Sequence, residues 1–127
     1  MKKVFIFIVV LLSACSQLSS EEQLFVGKWS WNYEQEGFGE SGFLKLTKDG
    51  KYSYLIESWN PTEKLSESFS DEVYDWSLKD GSLCLSRGSN EPDICKWTFS
   101  VDPSREPTLE FKGVFVKANI KATNNSQ

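Results

Sequence analysis

From Gly27 onward the chain alternates bulky apolar and polar residues in short runs, and this period of two constrains the fold more than any other feature. Trp29, Trp31 and Tyr33 alternate with Lys28, Ser30, Asn32 and Glu34. Tyr52, Tyr54 and Ile56 share one face of the run Lys51 to Glu57, and Tyr74, Trp76 and Leu78 share one face of Glu72 to Leu78. Trp97, Phe99 and Val101 repeat the pattern in Ile94 to Val101. Successive side chains of a strand point to opposite faces, so each run reads as a half-buried strand. Lys48-Asp49-Gly50 and Asp80-Gly81 lie between such runs, and Asp-Gly between alternating segments is a strong hairpin signal. Leu65 to Phe69 and Ser82 to Ser86 read as further strands, and Thr108 to Ala118 as one long or two short final ones. Seven to nine short strands with no long helix predict an all-β fold, a small antiparallel up-and-down barrel.

The segment before the barrel has a different character. Lys2 and Lys3 precede an unbroken apolar run from Val4 to Leu12, followed by Ser13-Ala14-Cys15. Nine apolar residues are too few for a membrane span, which needs about 20. A charged start, an apolar middle and small residues at the end form a secretory leader. With a cysteine directly after the small residues, Leu12-Ser13-Ala14-Cys15 resembles the lipobox of bacterial lipoproteins. That resemblance implies cleavage before Cys15, diacylglyceryl attachment to its thiol, and acylation of the new amino group by palmitate-type chains. Ser16 instead of Asp after the cysteine resembles the sorting pattern of outer-membrane lipoproteins, which implies the periplasmic face of that membrane. In a single-membrane cell the anchor would sit in that membrane instead. The implied organisation is a leader over 1–14, a lipid-anchored tether over 15–23, a barrel over 24–118 and a fraying tail over 119–127. Within the tether, Ser20-Glu21-Glu22-Gln23 has the spacing of a capping box, predicting one or two helical turns stopped at Gly27.

Removing the first 14 of 127 residues leaves 113, enough for one domain with a single core. Loss of Lys2 and Lys3 takes the net charge from −4 to −6. An acidic domain disfavours nucleic acid and anionic surfaces as partners. With Cys15 acylated, Cys84 and Cys95 remain, and two thiols exported to an oxidising compartment usually pair. Closing that short loop is worth about 3 kcal/mol in the chain-entropy picture. Cys84 has the opposite parity to Leu83 and Leu85, whereas Cys95 shares parity with Trp97 and Phe99. Either a bulge separates the two, or one strand is apolar on both faces.

Gly27-Lys28-Trp29, opening the first strand after a short helical turn, resembles the Gly-x-Trp signature of lipocalins. Asp75 to Leu85 and Thr47 to Tyr52 resemble the hairpin units of small lipocalin-like domains. The resemblance implies that Trp29 closes one barrel end under a basic side chain from the last strand, for which Lys117 is the candidate. The Thr-Asp-Tyr-like second motif of that family is absent, and the domain is shorter than a full lipocalin.

No catalytic constellation is present in the sequence. Histidine is absent, so neither a nucleophile's base nor a zinc site with the two cysteines is available. The carboxylates Glu34, Glu36, Glu40, Glu57 and Asp75 are the remaining candidates for acid and base chemistry, and the expectation is no enzyme, no metal and no cofactor. Gly37-Phe38-Gly39-Glu40 reads as a mobile loop carrying an exposed aromatic, and Trp59-Asn60-Pro61-Thr62 as the opening of a polar loop. Two functions fit. One is a barrel binding a small hydrophobic or amphipathic molecule, lined by Trp31, Tyr33, Tyr52, Tyr54, Tyr74 and Trp76. The other is a protein-interaction or inhibitor module at the envelope with a filled barrel. A void of several hundred Å³ favours the first; 113 residues supplying both wall and filling predict a largely filled interior.

Overall fold

Tight turns with left-handed backbone set the frame of the molecule. Glu36 and Gly37 have φ of +55° and +84°, and Asp80 and Gly81 have φ of +49° and +81°. Two consecutive left-handed residues match the right-handed twist of paired strands, so each pair closes a two-residue hairpin. The computed structural model describes residues 18–61, 66–70, 74–88, 90–101, 104, 106–113 and 119–124. The expected leader, Cys15 and Lys117 lie outside the described residues.

Among the described residues, nine strands follow one short helix. The helix α1 spans Ser20–Gln23, and the strands are β1 Gly27–Gln35, β2 Phe38–Leu46, β3 Tyr52–Trp59, β4 Ser66–Ser70, β5 Trp76–Lys79, β6 Ser82–Leu85, β7 Ile94–Val101, β8 Pro107–Lys112 and β9 Asn119–Asn124. They form one antiparallel sheet in the order β4-β3-β2-β1-β9-β8-β7-β6-β5. First and last strands meet through Trp29 opposite Asn124 and Ser30 opposite Thr123. At the other seam β4 runs along the edge of β3 from Ser66 to Ser70, and the chain returns to that edge at Asp75, opposite Lys51. There Tyr52 N–H donates to the Tyr74 carbonyl at 3.2 Å, and Trp76 N–H to that of Gly50 at 2.9 Å. The sheet is thereby rolled into the small all-β barrel expected from the strand pattern.

Four expectations need correction. The Gly37–Glu40 segment is not a loop: residues 38–40 open β2, held in register from Gln35 opposite Phe38 to Gly27 opposite Leu46. Trp59 is likewise not in a loop but ends β3 opposite Gly39. Residues 119–124 are not a frayed tail. They form β9, because Ile120 and Ala122 point inward and are buried although their neighbours are polar. The helix cap is one residue earlier than its spacing suggested. Ser19 Oγ accepts from Glu22 N–H at 3.1 Å, and Glu22 Oε1 accepts from Ser19 N–H at 3.0 Å. This frees Glu22 Oε2 to accept from Leu78 N–H at 3.2 Å, which ties α1 to β5.

The core divides along the barrel axis. At the end where α1 sits, Phe25 is fully buried, stacks on Trp29 at 5.8 Å and meets Phe99 edge-on at 5.4 Å. Trp29 Nε1 donates to the Phe25 carbonyl at 2.9 Å, so the buried indole keeps its polar group satisfied. Leu44, Leu46, Leu83 and Leu109 are buried in the same core, each contributing about 1.5–3 kcal/mol by leaving water. This end is plugged, and Trp29 is part of the plug.

Cys84 and Cys95 are joined by a disulfide, with Cα atoms 4.1 Å apart. A bulge reconciles their parities. Leu83 faces Trp97 and Leu85 faces Ile94, so two residues of β6 span three of β7. The extra residue lets Cys95 leave the inner face that Trp97 keeps.

Candidate functional site

The end opposite α1 is built differently. β2 begins there with Glu40 opposite Ser58, β6 ends there with Leu85 opposite Ile94, and β8 ends there with Lys112 opposite Asn119. A cavity of about 430 Å³ opens at this end, between a wall from β2 and β3 and a wall from β6, β7 and β8. Glu40, Tyr54 and Ile56 form the first wall; Leu85, Ile94, Trp97 and Phe111 form the second, with Lys96, Lys112 and Gly113 also lining the cavity.

The apolar members arrive by strand parity. Tyr54 and Ile56 follow Tyr52 on the inner face of β3, and Phe111 follows Leu109 on β8. Phe111 meets Trp31 edge-on at 4.9 Å and Trp97 at 5.6 Å, a packed aromatic layer. The barrel is therefore filled in its α1 half and open in the other, which departs from the expectation of a largely filled interior.

Two polar groups are set in this apolar surface. Glu40 is fully buried, and its Oε2 accepts from Trp31 Nε1 at 3.2 Å. Burying a carboxylate is costly unless hydrogen bonds hold it, and the indole N–H supplies one. Trp97 is 5% exposed, and its Nε1 has no hydrogen-bond partner among the described residues. An indole N–H is a donor only, so this group is a buried donor closed off from solvent and left unpaired among the described residues. Lys96 and Lys112 are exposed and form no ion pair among the described residues.

The six aromatic residues singled out in the sequence take different places. Tyr54 lines the cavity. Trp31 lies behind it, touching both Glu40 and Phe111. Tyr52 stacks on Tyr54 at 6.2 Å and donates its hydroxyl to the Ser86 carbonyl at 2.7 Å, so it is a core fixture. Trp76 is buried beside the β2–β3 turn, with Nε1 donating to the Thr47 carbonyl at 3.2 Å. Tyr33 is half-buried with its hydroxyl on Gln35, and Tyr74 is exposed. Ile56, Ile94, Trp97 and Phe111 were not singled out, although parity placed Ile56 and Trp97 on the faces of Tyr54 and Phe99.

The carboxylates considered for paired chemistry are not gathered. Glu40 points inward while Glu57, opposite Ser41, is on the other face of the sheet. Glu34 and Glu36 are exposed at the β1–β2 hairpin, and Asp75 pairs with Lys51 Nζ at 2.7 Å. Among the described residues no cluster of His, Cys, Asp or Glu is placed to hold a metal ion.

Comparison with known proteins returns no matching family profile, no matching curated protein and no matching solved structure.

Proposed function

We propose that this protein is a cell-envelope lipoprotein, anchored through Cys15, whose barrel binds a small hydrophobic or amphipathic molecule in the cavity at its open end. The observation that carries the binding reading is the cavity itself. Its volume of about 430 Å³ lies in the range of small-ligand pockets, and its walls are apolar with a few fixed polar groups. The anchoring reading rests on the lipobox-like Leu12-Ser13-Ala14-Cys15 and on Ser16, with the periplasmic face of the outer membrane as the site.

The two readings combine into an orientation. Leu18 packs into the core at the α1 end, within 3.8 Å of a Cβ placed on Gly50. Three residue steps from Cys15 to Leu18 reach at most about 11 Å. The plugged end then faces the bilayer and the cavity opens away from it. The ligand enters from the aqueous side.

A second reading, an interaction or inhibitor module without catalysis, draws on Phe38 at the β1–β2 hairpin and Phe43 on the outer face, both exposed. Native mass spectrometry of the full chain, expressed with its leader and extracted from its own membrane, separates the two. The binding reading predicts an acylated mass plus a non-covalently held small molecule. An acylated mass alone favours the interaction module, and an unacylated chain removes the anchor.

A further inference from the structure

The charged and donor groups around the open end are withheld from anything inside it. Glu40 is fully buried, with its Oε2 turned to Trp31 Nε1, and Trp97 Nε1 is closed to solvent. Lys96 and Lys112 are exposed and stand next to the inward residues Trp97 and Phe111, so strand parity sends their side chains to the outer face. The cavity is left with the half-buried Tyr54, Ile56 and Ile94 and the rim of the Phe111 ring. The Tyr54 hydroxyl is the one polar side-chain group among these four, and it carries no charge. The cavity also has an inner limit. Along β7 the order from plug to mouth is Phe99, Trp97, Ile94, and along β8 it is Leu109, Phe111, Gly113. Trp97 and Phe111, in ring contact at 5.6 Å, therefore close it toward the plugged half.

Resting on the binding reading above, we propose that the cavity takes only the uncharged alkyl chain of an amphiphile, and that the headgroup stays outside in water and is not selected. A charged headgroup drawn inside would lose its water and meet no charged partner among the described residues, which is costly. An alkyl chain gives up no polar contact and tightens binding by about fourfold for each methylene it buries. The site thus reads the chain, entering end-on between the β2–β3 wall and the β6–β8 wall, and is indifferent to the sign of the headgroup.

The test uses the full chain in phosphatidylcholine nanodiscs, with free probe concentrations fixed by dialysis against empty nanodiscs. The probes are hexanol, octanol, octanoate and octyltrimethylammonium. Binding is read from the isoleucine methyl resonances, those of Ile56 and Ile94 being assigned by their loss in Ile56→Val and Ile94→Val. The three octyl probes should move both resonances with affinities within about fivefold of one another, and octanol should bind at least about fivefold more tightly than hexanol. Lys96→Met/Lys112→Met, at two exposed positions, should leave that pattern unchanged. A wider spread among the headgroups, a smaller gain from hexanol to octanol, or a changed pattern in the double variant would overturn the chain-reading assignment and leave the binding reading standing. Failure of all four probes to move either resonance would overturn the binding reading along with it.

Discussion

Gly39 of β2 faces Trp59 of β3 in register, and a Cβ built on Gly39 would lie 2.2 Å from the Trp59 indole. The ring occupies the space that a side chain on Gly39 would need. Gly39→Ala should therefore lower stability by about 1–3 kcal/mol, as overpacking does. The same substitution in a Trp59→Ala background should cost under about 0.5 kcal/mol, because the clash is gone. Denaturant midpoints of the four proteins measure the coupling. Equal costs in both backgrounds would mean that the ring does not rest on the glycine.

Trp29 anchors the plugged end with its ring against Phe25 and its N–H on the Phe25 carbonyl. Trp29→Ala should leave a cavity and cost about 3–5 kcal/mol. Trp29→Phe should cost less, losing part of the volume and one buried hydrogen bond. A denaturant midpoint that Trp29→Ala does not shift would show that this end is not held by the indole.

Much of this architecture was legible because period-two alternation survives wherever both sides of a strand are chemically distinct. β1, β3 and β7 are of that kind, and so are the turns at Asp49-Gly50 and Asp80-Gly81. β2 was partly hidden, since Gly39 and Gly42 remove the side chains that carry the pattern. Their absence has a packing cause: Trp59 covers Gly39, and a Cβ on Gly42 would meet the Leu55 carbonyl oxygen at 2.4 Å and Trp31 at 3.0 Å. β9 was hidden because only Ile120 and the small Ala122 mark its inner face. The disulfide follows from the cysteine count and the expected export, whereas the parities of Cys84 and Cys95 allow either a bulge or a strand apolar on both faces. Of the cavity, the apolar positions follow from parity. Glu40 does not, because nothing local marks a carboxylate on an inward position when its stabilising partner is nine residues away on another strand.

The seam between β3 and β5 carries a pH dependence. Lys51 is held above its ordinary value of 10.5, first by its hydrogen bond to Asp75 and then by the charge of that carboxylate. A raised folded-state value means that the pair contributes fully below the ordinary lysine range, and that the contribution is lost as pH rises through the folded value. The stability difference between wild type and Lys51→Met should thus be constant from neutral pH to about 10 and shrink above it. A difference that grows with alkaline pH would contradict the assignment.

The Cys84–Cys95 link closes a short loop beside the cavity wall, with Leu85 and Ile94 next to its two ends. Reduction, or Cys84→Ala/Cys95→Ala, should lower stability by about 2–4 kcal/mol. Thermal unfolding with and without reductant checks this. Identical midpoints would mean that the loop is held by the β6–β7 ladder alone.

The proposed ligand site is tested most directly by filling it. Ile56 lines the cavity on the inner face of β3, and Phe43 stands exposed on the outer face. Anilinonaphthalene sulfonate, an amphipathic anion that fluoresces in apolar surroundings, should bind the wild-type chain saturably with one site. Ile56→Trp should abolish that binding while the protein still unfolds cooperatively, and Phe43→Ala should leave it unchanged. Undiminished one-site binding by a folded Ile56→Trp protein, or its loss in Phe43→Ala, would contradict a ligand site inside the open end of the barrel.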